Sequence, residues 1–526
     1  MSIRGITTAV VATLVFALIS WPATGQQPRR GGTAVFVVDT DPPTLNTALT
    51  TGATDDEIGT PILGQLLLLN ADGSVHPALA ESWLVTADGK TITFRIRRNV
   101  VFQDGTPLTS ADVKYTFEDV LGKYHPQASK AFAYVSSVEA LDPYTVVVHF
   151  KEPYGPFLHL VAAAPVLPRR LYEGTDVLKN PYNLKPVGAG PFKLQEWVRG
   201  DHITLVRNDT YYERGLPYLD SIVFKMIPNP HARTVAIQTG DVDYIHDYYF
   251  NRADYNLVAH RKDIVAKMDP GFPEDDLIIF NVRKAPFSDR RVRQAIAHAI
   301  DRAALIDRVY RGLGGVSRSA VDSRIAWAYN PRVDYQKLYA YDPKAAGALL
   351  DEAGYPRKNV GARFQMRLTF DPGHAGFLDM GQVIREQLRQ VGIDVQLEAI
   401  ERNVMINKVF QNWDFDATLQ NYATGGDPAV GIQRLYVCSD VRRAPFVNAS
   451  GYCNKEVDAL FTQAAGQALE RQRVAPYRNV QELLAPEIPS FPLVQLAEVD
   501  VARSTVQDLW GDGSASYYYG RVWLSK

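Results

Sequence analysis

Ten histidines, two cysteines and 58 acidic side chains are the groups with which this 526-residue chain could do chemistry. Their spacing argues against most catalytic uses. No GxSxG, HExxH, P-loop or GxGxxG motif occurs. The histidines are scattered singly, and no two stand three or four residues apart, as ligands on one helical face would. Two acidic triplets, Asp55-Asp56-Glu57 and Glu274-Asp275-Asp276, read as solvated turns. His246, among Tyr244, Asp247, Tyr248, Tyr249 and Phe250, reads as a packed or surface histidine rather than a ligand. Val187-Gly188-Ala189-Gly190-Pro191 reads as a tight turn between strands, since no helix follows to make a phosphate cradle. Against this poverty of nucleophiles stand 27 Tyr, 22 Phe and 7 Trp, whose rings give rigid contact area at low entropic cost. The balance points to a binder, with no cofactor.

One stretch looks built to hold something. "QNYATGGDPAVGIQRLYVCSD" (420–440) continues a strand-like alternation, "FDATLQNY", and then breaks at Thr424-Gly425-Gly426-Asp427-Pro428. Gly-Gly permits positive φ and close backbone approach, and Asp-Pro starts a turn. Cys438 follows, and Cys453 after it; in an exported chain the two most simply form one structural disulfide.

The elements that must position this loop follow from periodicity. The first third is hairpin-rich. "TADGKTITFRIRRNVVFQDGTPLT" gives two strands with turns at Asp88-Gly89 and Asp104-Gly105, and "SVEALDPYTVVVHF" turns at Asp142-Pro143. Thr109–Lys123 predicts a helix with a Thr109…Asp112 capping box and a stripe of Val113, Phe117, Val120 and Leu121. Strands over 188–209 and in "YLDSIVFKMIP" follow. Ser288 reads as the cap of a helix carrying Val292, Ile296, Ala299 and Ile300 on one face. Asp342, Pro343 and Gly354 bracket another, with Leu349 and Leu350 inward. From "RFQMRLTFDPGH" to "FDATLQNY" the order β-α-β-α-β predicts parallel strands with right-handed crossovers. Both the 424–428 loop and "FDPGH" (370–374) then sit at carboxyl ends of strands, where open α/β sheets bind ligands.

The ends and the charge place the chain. Arg4, an apolar run from Ile6 to Ile19 and the small residues Ala23-Thr24-Gly25 read as a secretory signal peptide over 1–25. No cysteine lies near the cut, so a soluble periplasmic protein without a lipid anchor is expected. With 56 basic against 58 acidic residues and no basic run longer than three, nothing favours nucleic acid or an anionic membrane.

Five blocks carry a resemblance. "HPALAESWLVTADGKTITFRIRRNVVFQDGTPLTSADVKYTFEDVL", "PVGAGPFKLQEW", "NDTYYERGLPYLDSIVFKMIPN", "IIFNVRKAPFSDRRVRQAIAHAIDRAALID" and "YDPKAAGALLDEAGY" occur in the order found in the bacterial family 5 extracellular solute-binding proteins. The chain resembles these peptide- and nickel-type receptors of ABC importers over its whole mature length. The resemblance implies an α/β type II periplasmic binding fold of two lobes and three domains joined by a hinge. Domain I would comprise 31–70, 186–285 and 495–526, domain II 71–185, and domain III, the second lobe, 286–494. It also implies a Cys438–Cys453 disulfide, a small-molecule ligand, ABC permease subunits as partners and a monomer.

In peptide-binding members an aspartate four residues before the Asp/Glu-Pro step pairs with the peptide ammonium; here that position is Thr424. A neutral hydroxyl does not offset a buried cation. Asp427 is a substitute acid, although its place before Pro428 suggests a turn role. Asn421, Tyr422, Thr424 and Gly425 line the expected cleft on one side, with Asp371 and His374 nearby; Tyr422 has an equally good reading as packing under the loop. Thr51, Thr54 and Asp55 follow the first strand on the opposite wall, and Tyr249 stands near the crossover. The ligand expected is a small polar solute, peptide or opine-like. A nickel-chelate or haem receptor is the rival within the class, weakened because no histidine follows 374. A secreted hydrolase is the rival outside it, and it lacks a paired nucleophile and base.

Overall fold

The computed structural model describes residues 27–70, 74–269, 274–357, 361–372, 374, 376–423, 425–509 and 517–525. Three sheets organise them. In the first lobe seven strands run in the order Ile264–Asp269, Glu498–Arg503, Tyr244–Ile245, Thr33–Val38, Ser221–Met226, His202–Arg207 and Phe192–Val198. A four-stranded antiparallel sheet, Ala80–Val85, Thr91–Ile96, Thr145–Phe150 and Val135–Asp142, falls within the expected domain II. The second lobe has six strands: Gly314–Val316, Ser490–Leu496, Glu274–Phe280, Ala417–Ala423, Phe364–Phe370 and Ile393–Ala399.

The predicted β-α-β-α-β unit is present. Phe364–Phe370 pairs in parallel with both Ile393–Ala399 and Ala417–Ala423, and the Phe377–Gln390 helix makes the first crossover. The unit is grafted onto antiparallel strands, because Glu274–Phe280 pairs antiparallel with Ala417–Ala423 and Ser490–Leu496. That strand corrects the expected boundary. Asp269 ends a strand of the seven-stranded sheet and Glu274 begins one of the six-stranded sheet, ahead of residue 286. On the return Leu496 ends a strand of the six-stranded sheet and Glu498 begins one of the seven-stranded sheet. The acidic start Glu274-Asp275-Asp276 hides a strand whose later residues are all core.

Local chemistry accounts for the helix ends. The Thr109 and Asp112 capping box forms, and Val113, Phe117, Val120 and Leu121 are buried, although the helix changes to π-type hydrogen bonding over Thr116–Leu121. Asp342 caps Pro343–Glu352 by accepting from Lys344 and Ala345, and Gly354 takes a φ of 88° just past its end. Leu350 is buried there, and Leu349 is half-buried. The Arg290–Ala299 helix is capped by Asp289, not Ser288, because the aspartate carboxylate reaches Arg291 N at 2.8 Å. The Val187–Pro191 turn closes the carboxyl end of the Ala53–Leu63 helix. Ala189 and Gly190 donate to Leu63 and Ile62 carbonyls at 3.0 Å, and a Cβ on Gly188 or Gly190 would collide with carbonyls of that last turn.

Cys438 and Cys453 are bonded, S–S 2.05 Å, closing the segment after the 424–427 loop. A cross-link spanning 15 residues removes about 3 kcal/mol of unfolded-state entropy. Cys438→Ser/Cys453→Ser should therefore unfold at lower urea, by about that free energy. Reduced wild type should match it; equal midpoints for oxidised and reduced wild type would refute the estimate.

Candidate functional site

Two guanidinium groups hold the backbone at the strand ends where the sheets of the two lobes adjoin. Arg252, from the first lobe, donates to Ala497 O at 3.2 Å and pairs with Asp247, whose Oδ1 also accepts from Val499 N at 2.6 Å. Arg324, from the second lobe, donates to Leu496 O and Glu274 O, each at 3.0 Å. Carbonyls that leave one sheet before joining the next thus find charged donors. Neither acidic triplet is a solvated turn. Asp55, Glu57, Asp275 and Asp276 are all buried, because Asp55-Asp56-Glu57 begins a buried helix and Glu274-Asp275-Asp276 begins a central strand. Asp276 accepts from Tyr310 and from Asn421 Nδ2 (2.9 Å), and Asp275 accepts from Ser317 (2.5 Å). Burial pushes the Glu274 carboxyl up to about 7. His246 packs among Tyr244, Tyr249 and Tyr517, its Nδ1 accepting from Tyr248 N.

The second-lobe wall is the end of the Ala417–Ala423 strand and the loop after it. Gly425 takes a φ of 65°, the positive value anticipated from Gly-Gly. Asp427 is fully buried and accepts from Ala429 N at 2.9 Å, the turn role suggested by its place before Pro428. Both of its oxygens also face Arg473 (2.5 and 2.8 Å), and Tyr477 O–H donates to it at 3.3 Å. The guanidinium is flanked by the Trp327 and Tyr477 rings, and Trp327 Nε1 donates to Gly426 O at 3.3 Å. With its oxygens so engaged, Asp427 is spent on the fold and is not a substitute counter-ion for a ligand ammonium. Asn421 is committed to Asp276. Tyr422 is buried against Leu277, Ile279 and Ile432, with the Arg434 guanidinium over its ring at 4.8 Å. Asp371 and His374 are half-buried beside this wall, His374 stacked on Phe377 at 4.0 Å. Thr424 lies outside the described residues.

On the first-lobe wall Tyr249 O–H donates to Thr54 Oγ1 (3.0 Å), which donates to Asp39 Oδ1 (3.1 Å). Asp55 turns inward and accepts from Thr50 Oγ1 and Thr44 N, so it closes the 44–55 loop on itself. Thr51 is exposed. The structure therefore joins Thr54 with Tyr249 and Asn421 with the hinge, and it withdraws Asp55 and Asp427 into local roles.

Domain II meets the second lobe across the mouth. Gly155 N donates to Ala465 O at 2.8 Å, and Lys130 pairs with Asp440 at 3.1 Å. Tyr134 and Tyr154 stack 4.5 Å apart just before Gly155. Sequence reasoning missed Arg473, Trp327, Lys130 and Arg434. Arg434 alone had a signal, since it falls within the 420–440 stretch; the others come together only through the fold.

Residues 74–442 match the family model described as bacterial extracellular solute-binding proteins, family 5 middle. The chain belongs to this family. It is 28% identical over 477 residues to the oligopeptide-binding protein AppA of Bacillus subtilis, covering 88% of this chain and 86% of AppA. It is 27% identical to the glutathione-binding protein GsiB of Escherichia coli K12, covering 84% and 85%. The structure of AppA with a nonapeptide superposes with a TM-score of 0.82 at 26% identity, covering 95% of this chain and all of that one. The A. tumefaciens R10 protein AgaA, solved with agropinic acid, gives 0.78 at 25%, covering 94% and 99%. The receptor has the type II periplasmic binding fold and serves as the solute-binding component of an ABC transporter, with a permease as its partner. Its family is extracellular, and among the described residues no helix is long and apolar enough to cross a membrane.

Proposed function

We propose that the receptor works in the periplasm, freed from its signal peptide. It captures a peptide-like or opine-like solute between its lobes and releases it unchanged to the permease. The contact between Gly155 and Ala465, flanked by Lys130–Asp440, carries this reading, because it brings domain II against the lobe that bears the 424–427 loop. Relatives that bind oligopeptides, glutathione and agropinic acid support the ligand class. Closing on a solute works only through its differential affinity for the closed arrangement, and the burial that results desolvates the polar contacts. Native mass spectrometry of protein from its host periplasm, then thermal-shift screening of di- and tripeptides, glutathione and opines, tests the class. Stabilisation by members of that set is expected. Turnover of ester, glycoside or peptide substrates with no stabilising solute would overturn it.

Closure itself has a sharper test. A methyl group on Gly155 would collide with Gln467 O and press on Arg473 Cδ at 3.1 Å. The φ of Gly155 lies outside the left-handed region, so Gly155→Ala leaves domain II unstrained. The variant should keep its melting temperature without ligand and bind at least about ten-fold more weakly, a loss of about 1.4 kcal/mol. Solution scattering should show the liganded variant staying extended. Wild-type affinity and compaction would mean that this contact takes no part in capture.

A further inference from the structure

We infer that Arg434 and the Tyr422 hydroxyl form the receptor's anchor for a carboxylate group of its solute. This deepens the reading of a peptide-like or opine-like ligand and rests on it. The observation is a pair of polar groups that the fold positions and then leaves unanswered.

Arg434 follows the loop at the cleft end of the Ala417–Ala423 strand and is half-buried. Its Nε donates to Gly431 O at 3.0 Å, and its guanidinium lies over the Tyr422 ring at 4.8 Å, so both its position and its plane are held. Among the described residues nothing else bonds it, and no carboxylate stands within ion-pair distance. The acid that acts on it most is Asp440, which already pairs with Lys130 of domain II and with Arg442. Other half-buried or buried arginines of this lobe are answered. Arg473 has Asp427, Arg324 has Asp322, Arg293 has Glu487, and Arg302 has three backbone carbonyls. Arg434 keeps its two terminal nitrogens for something outside the chain.

Tyr422 is the independent second group. It is 2% exposed, and its hydroxyl is buried with no hydrogen-bond partner among the described residues. A buried hydroxyl left unpaired costs about 1–3 kcal/mol, so such groups are few and ask for an explanation. A carboxylate supplies it: one oxygen accepts from Tyr422 O–H while the fork of Arg434 takes the pair. Asp440, six residues after Arg434, carries the bridge to Lys130 of domain II, so the contact between domain II and the second lobe falls on the same segment as the anchor. The resemblance-based position for an ammonium partner holds a neutral Thr424, and Asp427 is taken by Arg473. Both shift the balance of recognition toward the anionic end of the solute.

The test compares acid and neutral forms of one probe on one protein. Calorimetry would measure trialanine against trialanine amide, and glutathione against its diethyl ester, with wild type, Arg434→Gln and Tyr422→Phe. Charge-assisted hydrogen bonds contribute enough for wild type to prefer the acids by about 10–100-fold. Arg434→Gln should abolish that preference, Tyr422→Phe should reduce it, and Arg434→Lys should restore part of it. Equal binding of acid and neutral forms to wild type would overturn the anchor and leave the ligand class standing. An acid preference that survives in Arg434→Gln would do the same. Failure of every acid to bind wild type would overturn the ligand class and the anchor with it. The wild-type comparison holds even if a variant does not fold.

Discussion

Arg473→Met should destabilise the second lobe by about 3–5 kcal/mol, the loss expected when one partner of a buried ion pair is removed. Asp427 has no exposed surface, and its two oxygens face Arg473 at 2.5 and 2.8 Å. Without the guanidinium, Ala429 N and Tyr477 O–H are the hydrogen-bond donors left to the buried carboxylate among the described residues. Arg473 also holds Ala464 O through Nε at 2.9 Å and lies between two rings, so its loss opens the wall beneath Gly155 as well. Urea unfolding followed by circular dichroism would measure the effect. Tyr477→Phe, which removes one neutral donor, should cost about 1 kcal/mol. The double variant Asp427→Leu/Arg473→Met should regain much of the loss, since no unpaired charge then remains. A cost below about 1 kcal/mol for Arg473→Met would refute the account.

The pH dependence gives the same claim a sign. Burial raises the Asp427 pKa, but the charge and hydrogen bonds of Arg473 outweigh it and hold the carboxyl below its ordinary value. A depressed folded-state pKa stabilises above the unfolded value and is lost as pH falls through the folded one. In Arg473→Met burial acts on Asp427 without the opposing guanidinium and raises its pKa. The difference between wild type and variant should therefore be full at high pH and begin to shrink above the ordinary aspartate range, as the variant's carboxyl protonates first.

Glu57→Gln should act in the opposite direction and stabilise the protein at neutral pH and above. Glu57 is 1% exposed on the Ala53–Leu63 helix; Oε1 accepts from Tyr519 O–H at 3.1 Å, and Oε2 has no partner among the described residues. Burial is the largest influence and carries its pKa from 4.5 to about 7, with His246 and Tyr519 opposing. A raised folded-state pKa means that stability is full below pH 4.5 and is lost as pH rises through about 7. That interval is worth about 3 kcal/mol at 1.36 kcal/mol per pH unit. The amide keeps the bond to Tyr519 and never ionises. Unfolding free energies of wild type and Glu57→Gln should converge near pH 4.5 and separate toward pH 8. Parallel curves across that range would show that Glu57 does not titrate in the fold.

Much of the architecture was legible because it is local. The Thr109/Asp112 box, the Asp342 cap with Gly354 behind it, and the positive φ at Gly425 depend on residues within a few positions of one another. The parallel unit was legible from hydrophobic period alone. The Glu274–Phe280 strand was not, because its first three residues are acidic and its partners lie at 417–423 and 490–496. The site was legible in location only. Asn421 and Tyr422 end the Ala417–Ala423 strand, with Gly425 and Asp427 just beyond it, but the role of Asp427 was set by Arg473, a partner that spacing does not reveal.

The sequence by itself determined the family, the two-lobed α/β plan, the disulfide and the loop at which recognition is to be sought. Each follows from periodicity, short-range capping, the count of two cysteines or motif order, which survive without coordinates. Only the tertiary structure decided which charges are already answered. Arg473 reaches Asp427 across 46 residues, and Arg252 and Arg324 close on the hinge from opposite lobes. Coulomb energy depends on separation in space and on the dielectric around the pair, and neither quantity is written along the chain. For that reason Asp427 and Arg434, seven residues apart, could not be told apart by spacing, and only the fold shows that Asp427 is paired with Arg473 while Arg434 Nε bonds a backbone carbonyl.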